Sequence, residues 1–313
     1  MGVFDHTQYV SMTMEFRCNL KCVHCMIEDT MDRLAPQTQA QLQTLCANNL
    51  IHRKWKGLIL TGSEITLHRD LPEWVHMARS SGFEKIRIQT HGMRLGSADY
   101  CAELVDAGVN EFFISVAAAD AETHDGITTV RGSFDKTLRG LEILDRTPGV
   151  VTITNTVVTE RSYRQLPALV ARLAHLRQLA QMEFWFYFPM SEQDDKGLVA
   201  SHMAALPYLK RAIEDARVSG RGIEVKNFPE CLLGSDGALL HNDQPELYID
   251  DAFWVEFMRN GFYQCAHRAR CASKQCLGLN TAYIKKFGWH EKELSPLQPP
   301  LPLPLMAPQT ARA

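Results

Sequence analysis

Short apolar runs alternate with amphipathic stretches along the first two-thirds of the chain. The runs "QYVSMTMEF", "GLILTG", "KIRIQTHG", "EFFISVAA", "VVTITNTVVT" and "EFWFYFP" are rich in β-branched and aromatic residues, the composition of strands. Their near-continuous apolarity predicts burial on both faces, as in a parallel sheet. Between them lie helical patterns with recognisable ends. Asp70 precedes "LPEWVHMARSSG", which places Leu71, Trp74, Val75 and Ala78 on one face and Gly82 at the stop. Ser97 precedes "ADYCAELVDAG", closing at Gly108, and Ser133 precedes "FDKTLRGLEILDR", with Phe134, Leu138, Leu141 and Leu144 in register. Roughly six βα repeats predict a parallel α/β fold, open or barrel-like, whose working residues sit at the C-terminal ends of strands.

After about residue 220 the pattern changes. "GIEVKNFPECLLGSDGALLHNDQPELYID" is loop-rich, "CAHRARCASKQCLGLNTAYIKKFG" is dense in cysteine, and "SPLQPPLPLPLMAPQTARA" is proline-rich. The expected organisation is a main domain over 1–220, a cysteine-rich region over 221–290, and an extended or disordered tail over 291–313.

Composition narrows the function classes. A chain of 313 residues with 45% hydrophobic and 22% charged residues and a net charge of −3 is an ordinary globular protein with one sizeable core. That balance gives no electrostatic case for nucleic acid. The most basic stretch, "ERSYRQLPALVARLAHLRQ", carries Leu166, Leu169, Leu173 and Leu176 at helical spacing and reads as an amphipathic helix with a solvated face. No apolar segment approaches a membrane span, and the N-terminus has neither the basic nor the apolar region of a secretory signal. Nine cysteines in a chain of this kind point to metal ligation or catalysis inside the cell rather than to a disulfide framework, so the cytoplasm is the expected compartment.

Three of them, Cys18, Cys22 and Cys25, lie in "RCNLKCVHC" directly after the first predicted strand. An iron–sulfur cube takes four thiolates, one per iron. A C-x3-C-x2-C loop supplies three, leaving one iron open to another ligand, as catalytic zinc sites leave one position open. A zinc site completed by His24 or a distant ligand, and a redox thiol group, satisfy the same spacing. Cys231, Cys265, Cys271 and Cys276 make a second set of four, the closed arrangement of an electron-transfer or structural cluster, and equally of a four-cysteine zinc site. Cys46 and Cys101 fall on predicted core faces of helices and pack as small hydrophobes.

"RCNLKCVHC", with a histidine before its third cysteine at the end of a first strand, resembles the signature of the radical S-adenosylmethionine (SAM) superfamily. Further likenesses follow in that family's order over roughly residues 8–190. The second strand ends in Thr61, Gly62, Ser63 and Glu64, where the family carries Gly-Gly-Glu. Ser63 replaces the second glycine. "QTHG" is similar to the Thr-Asn-Gly that ends the third strand, with His91 in place of asparagine. The resemblance implies a partial (β/α)6 TIM-like barrel. It also implies a 4Fe–4S cluster on Cys18, Cys22 and Cys25, and SAM contacts from His24, Gly62, Ser63, Glu64, Thr90, Ser115, Arg131 and Asn155. Glu64 would accept hydrogen bonds from the methionyl ammonium; the residue-level alternative is that it caps the following turn. The C-terminal cysteines resemble the SPASM or twitch extensions of that superfamily and imply one auxiliary 4Fe–4S cluster.

The activity so implied is one-electron reductive cleavage of SAM to a 5′-deoxyadenosyl radical. That radical takes hydrogen from a peptide or natural-product intermediate and leads to an oxidised, cross-linked or otherwise modified product. The partners implied are that peptide or small-molecule substrate and a one-electron reductant such as flavodoxin or ferredoxin, with no nucleic acid and no membrane. The chain starts at its first predicted strand, which predicts that peptide recognition, if required, comes from a separate partner. Tyr187, Phe188, Asp120 and Tyr283 are candidates for the substrate side, with packing as the simpler role of each. No residue stands out as a catalytic acid or base. A SAM-dependent methyl or aminocarboxypropyl transferase on the same fold, and a zinc or iron–sulfur binding protein without catalysis, are the alternative readings.

Overall fold

The computed structural model describes residues 4–27 and 31–298. Eight strands form one sheet in which every neighbouring pair is parallel. They are β1 (Tyr9–Glu15), β2 (Gly57–Gly62), β3 (Lys85–Thr90), β4 (Glu111–Ser115), β5 (Val151–Val158), β6 (Leu179–Phe186), β7 (Gly222–Lys226) and β8 (Glu246–Tyr248). The order is β7-β6-β5-β4-β3-β2-β1-β8, a partial TIM-like barrel. Helices α1 (Gln39–His52), α2 (Leu71–Ser80), α3 (Ala98–Ala107), α4 (Ala121–Thr128), α5 (Ser133–Asp145), α6 (Leu166–Leu173) and α7 (His202–Val218) connect consecutive strands. None of the described helices is long and apolar enough to cross a membrane.

Side chains alternate across each strand. Val10, Met12 and Met14 of β1, Leu58 and Leu60 of β2, and Met182, Phe184 and Phe186 of β6 pack outward with helix residues such as Leu42, Trp74, Leu104, Leu141 and Leu169 in one continuous core. The inner face is also buried, but it is polar: Tyr9, Ser11, Thr13, Arg87, Glu111, Gln181, Glu183, Glu224 and Lys226. Burial on both faces holds as expected; uniform apolarity does not.

The predicted helix ends hold at α2 and α3, where the Ser97 hydroxyl accepts from the Tyr100 N–H. α5 differs. Ser133 is its first residue and Gly132, in left-handed conformation, is the cap, because the Ser133 hydroxyl is committed to Asp125 at 2.8 Å. The amphipathic reading of the basic stretch is borne out, with Leu166, Leu169 and Leu173 buried in α6. Cys46 and Cys101 lie in the core as expected.

The main domain continues past the expected boundary at 220, because β7 pairs with β6. Leu240 then bridges to Val225 of β7, and β8 docks on β1, so the intervening chain runs from one edge of the sheet to the other. That intervening chain includes α8 (Glu230–Leu233); after β8 come α9 (Asp251–Phe257) and a short antiparallel pair, β9 (Tyr263–Gln264) with β10 (Leu279–Asn280), followed by α10 (Thr281–Phe287). The expected tail begins with a docked segment: Leu294 is buried, and the Ala272 N–H donates to the Leu297 carbonyl at 2.9 Å. The rest of that tail, 299–313, lies outside the described residues.

His202 joins the barrel to this C-terminal lobe. Its ring stacks on Tyr283 at 4.2 Å and meets Phe186 edge-on at 5.3 Å, while its N–H donates to the Tyr283 hydroxyl at 3.1 Å. Burial, with His290 nearby, lowers the imidazole pKa to about 3. The folded chain therefore resists a proton that the unfolded chain takes up near pH 6.5, so stability present above that pH is lost as pH falls toward 3. Because Nδ1 has no partner, His202→Phe keeps the packing. We expect it to lessen the acid-side loss of stability by up to about 1.4 kcal/mol per pH unit, measured by urea unfolding between pH 4 and 7.

Candidate functional site

The loop after β1 carries Cys18, Cys22 and Cys25 to the C-terminal rim of the sheet. Backbone bonds fix it against the end of α4: Lys21 N–H to the Thr128 carbonyl at 3.3 Å and Val23 N–H to Ile127 at 2.9 Å. The Thr129 hydroxyl donates back to the Lys21 carbonyl at 3.0 Å. The α4 end is itself held by Asp125, which accepts from Gly132 N–H, Ser133 Oγ and Phe134 N–H at 2.6, 2.8 and 2.9 Å. None of the nine cysteines forms a disulfide. The Cys18 sulfur accepts from the Leu20 N–H at 3.3 Å.

Beneath the loop is a cavity of about 30 Å³ lined by Cys22, His24, His91, Ser115, His124 and Asn155 among others. His24 Nδ1, His124 Nε2 and Asn155 Nδ2 are buried there without a hydrogen-bond partner among the described residues. Each such orphan costs on the order of 1–3 kcal/mol unless a bound group meets it. Burial lowers the pKa of both His24 and His124 to about 4, so both imidazoles are neutral near pH 7. A three-thiol loop whose Cys22 lines a cavity of unmet polar atoms fits a cluster with a polar molecule bound beside it. Among the described residues no group of three or more His, Cys, Asp or Glu converges on a single-ion position. A cube spreads its thiolates over separate irons.

His24, Ser115 and Asn155 of the expected site residues thus come together, and His124 joins them unforeseen. Its signal was thin: one histidine in "AETHDG". Arg131 stands exposed outside this lining. Gly62 and Ser63 lie at the end of β2, where Ser63 N–H donates to the Glu15 carbonyl at 2.8 Å. Ser63 Oγ is a further buried orphan.

Glu64 is fully buried, and its carboxylate is occupied. It accepts from Thr66 N–H at 3.0 Å, Thr90 Oγ1 at 2.6 Å and His91 N–H at 2.9 Å, and pairs with His91 Nε2 at 3.0 Å. The Thr66 contact caps the following 3-10 turn, the alternative role for this residue. Burial pushes its carboxyl up, but the His91, Thr66 and Thr90 contacts more than offset this and hold it below the usual range. Met93 N–H donates to His91 Nδ1 at 3.2 Å, which leaves the proton on Nε2 facing Glu64.

The four C-terminal cysteines also converge. Cys231, Cys265, Cys271 and Cys276 line one small cavity. Cys265 follows β9 and Cys276 precedes β10, so the antiparallel pair draws them together. Cys265 Sγ accepts from His267 N–H and Cys271 Sγ from Leu297 N–H, both at 3.4 Å. Four thiols with N–H donors to sulfur fit an iron–sulfur cluster, the kind of contact that tunes one.

The substrate-side candidates resolve as structure. Asp120 caps α4, accepting from Thr123 N–H at 2.8 Å. Tyr187, Phe188 and Tyr283 are buried in packing. A larger groove of about 710 Å³ lies on the outer face at α5 and α6, away from the cysteines. A cavity of about 230 Å³ with mixed apolar and charged walls sits inside the barrel.

The profile of the radical SAM superfamily matches residues 13–173, just over half of the chain. A probable GTP 3′,8-cyclase of Methanopyrus kandleri is 34% identical over 173 residues, 54% of this chain and 53% of that protein. An Fe-coproporphyrin III synthase of Methanosarcina barkeri is 24% identical over 245 residues, 78% of this chain and 59% of that protein. The chain thus spans little more than half the length of these relatives. Among solved structures, Streptococcus suis SuiB bound to S-adenosylmethionine aligns with a TM-score of 0.61 at 14% identity, over 94% of this chain and 76% of that one. SuiB has also been solved bound to precursor peptide SuiA. At that identity the likeness speaks for the fold.

One position in the rim permits no side chain. A Cβ on Gly62 would lie 1.9 Å from the Glu15 carbonyl oxygen, and the residue holds φ of +154°. Gly62→Ala should therefore destabilise the chain by about 3 kcal/mol, read from urea unfolding; an unchanged midpoint would contradict the close approach.

Proposed function

The chain belongs to the radical SAM superfamily, and from that premise we propose that it cleaves SAM reductively, takes hydrogen from a peptide or natural-product intermediate, and so yields an oxidised, cross-linked or otherwise modified product. One observation carries this reading: the C-x3-C-x2-C loop is docked on the end of α4, with Cys22 lining a cavity whose buried polar atoms lack partners among the described residues.

Cys18, Cys22 and Cys25 would hold the 4Fe–4S cluster, three thiolates for four irons. When bound, the cluster and SAM supply one electron and a 5′-deoxyadenosyl radical for hydrogen abstraction. The chain's own residues bind and orient. Asn155 Nδ2, His124 Nε2 and His24 Nδ1 find their missing partners on SAM, with Ser115 at the end of β4 beside them. Gly62 and Ser63 present backbone and hydroxyl at the end of β2. Glu64 meets the methionyl ammonium once His91 Nε2 releases one carboxylate oxygen, while Thr90 keeps the other in place. Arg131, exposed at the rim, is the residue left to reach the SAM carboxylate. The buried barrel interior shields the reacting carbon from water and from competing hydrogen donors.

Cys231, Cys265, Cys271 and Cys276 hold one auxiliary 4Fe–4S cluster, as in SPASM or twitch extensions. Such a cluster offers a place to deliver or remove an electron after hydrogen abstraction, which favours an oxidative outcome. The N–H donors at Cys265 and Cys271 support that assignment. The domain reading is a barrel that runs through β8, with the auxiliary region built from α8 and the chain from β9 onward. SuiB, solved with a precursor peptide, supports a peptide as substrate; a flavodoxin- or ferredoxin-like donor completes the scheme.

Cys22→Ala should abolish formation of 5′-deoxyadenosine and lower iron by one cluster, measured by chromatography and by iron and sulfide counts on anaerobically reconstituted protein. Full turnover in that variant would overturn the assignment, and release of methylthioadenosine or S-adenosylhomocysteine would move the chain to the transferases. Cys271→Ala should remove only the second cluster and keep SAM cleavage. Iron content at the wild-type level in that variant would rule out the C-terminal site.

A further inference from the structure

Charged side chains collect on the inner face of the sheet in a way the cofactor site leaves unused. Arg87 pairs with Glu111, Nη2 to Oε2 at 2.8 Å, and Tyr9 donates its hydroxyl to the same carboxylate at 2.9 Å. Lys226 pairs with Glu224 at 2.8 Å, and His6 Nε2 lies 3.0 Å from the other Glu224 oxygen. Glu183 stands apart. It is 1% exposed and accepts from Gln181 Nε2 and Trp185 Nε1, each at 2.8 Å. No cation pairs with it among the described residues. The interior thus holds three carboxylates against two cations, and His6 adds a charge only when protonated.

A buried carboxylate without a counter-charge is costly, and most proteins pair it or keep it protonated. Glu183 lines the interior cavity of about 230 Å³, whose walls also include Trp185, Phe113, Lys226, Arg87 and His6; Lys226 and Arg87 are committed to Glu224 and Glu111. Trp185 and Phe113 lie 5.9 Å apart, ring to ring, beside the carboxylate, and Lys226 Nζ stands 5.4 Å from the Trp185 ring centroid. An aromatic wall beside a buried carboxylate suits an organic cation. The position relative to the cofactor cavity is also informative. In the β5–β6 register Glu183 is the partner of Asn155, the orphaned amide that lines the cavity under the cysteine loop. The backbones of Glu183 and Asn155 are thus one strand spacing, about 5 Å, apart.

We propose that Glu183 is the substrate's anchor in the barrel interior, and that the substrate bears an organic cation there, a primary ammonium or a guanidinium. This names the substrate class of the site and rests on the function proposed above. The electrostatics agree. Burial and the neighbouring Glu224 push the Glu183 carboxyl up to about 7 against the pull of Lys226 and Arg87. A bound cation tips that balance to the ionised form. Binding should therefore strengthen as pH rises through 7, with Glu224 and Lys226 on β7, Asn155 on β5, Arg87 on β3 and His6 before β1 as the other groups facing it.

The test uses the anaerobically reconstituted full chain with n-butylammonium, n-butylguanidinium and neutral n-butanol as probes. Acetyl-Gly-Lys-Gly-amide and its norleucine counterpart form a second arm. Binding is followed by saturation-transfer NMR. We expect at least one cation to bind about tenfold or more tighter than its neutral counterpart. Glu183→Gln, of the same length and still able to accept from Trp185, should erase that preference. Glu183→Asp, which keeps the charge, should retain part of it and carries the test should the glutamine variant not fold. Preference confined to the lysine peptide assigns the cation to a peptide side chain, and preference for the free amines assigns it to a small molecule. No cation preference in the wild type, or an undiminished one in a folded Glu183→Gln, overturns the proposal. The readout is separate from SAM cleavage. A chain that makes 5′-deoxyadenosine without cation preference loses only the anchor, and one with the preference but no 5′-deoxyadenosine loses only the function.

Discussion

Parallel pairing with a two-residue side-chain period is the constraint on which the rest depends. Along β1 it sends Val10, Met12 and Met14 outward to the helices and Tyr9, Ser11 and Thr13 inward. The same alternation on β3, β4, β6 and β7 gathers Arg87, Glu111, Glu183, Glu224 and Lys226 into one interior. A slip of one residue would exchange these sets, burying charge against the helices and exposing leucine to the cavity, so the register is strongly specified. Because all strands run the same way, their C-terminal ends share one rim. Glu15, Gly62, Thr90 and Ser115 stand there around the cysteine loop. The cofactor cavity and the charged interior are two levels of one construction.

How much of this can be read from the chain follows from the same alternation. The first six strands are legible because their outward residues are large and apolar, enough to mark each run even where inward positions such as Arg87, Glu111 and Glu183 are charged. β7 is not: in "GIEVK" the inward positions are Glu224 and Lys226, which look like a solvated loop until β6 is laid beside them. β8 is three residues long, below what periodicity can register. Cys18, Cys22 and Cys25 are legible through spacing alone, since a short loop brings them together in any fold. His124 and Glu183 are not. Each is a single polar residue whose significance arises only from what the fold places around it.

The C-terminal thiols fall between these cases. Cys231 is separated from Cys265 by β8, α9 and their connections, and no chain spacing makes them neighbours. The antiparallel pair of β9 with β10 brings Cys265 and Cys276 together, and α8 supplies Cys231 from the barrel side. Gly278 makes the tight return possible: at φ +96°, its absent Cβ would meet the Gln264 carbonyl at 2.4 Å. The lobe is then locked to the barrel through His202 and Tyr283, a stacked pair buried from water. The proposed auxiliary site is therefore held at a fixed place relative to the barrel, a requirement for any centre that exchanges electrons with chemistry inside it.

Glu64 shows how one substitution changes the terms of binding. On the proposed assignment its carboxylate receives an ammonium, yet in this chain His91 already donates to it through both its backbone N–H and Nε2. The backbone bond costs nothing to keep, because it belongs to the turn at Gly92. The ring contact must be exchanged. A charge-assisted hydrogen bond contributes about 1.5–3 kcal/mol, so an ammonium gains only the difference between its own contact and the imidazole's. The displaced ring retains a partner in Asn19 Oδ1 at 2.7 Å, which limits the penalty. His91 thus acts as a stand-in that keeps Glu64 satisfied and oriented before SAM arrives. It lowers the net affinity for the ammonium while preserving the geometry that receives it.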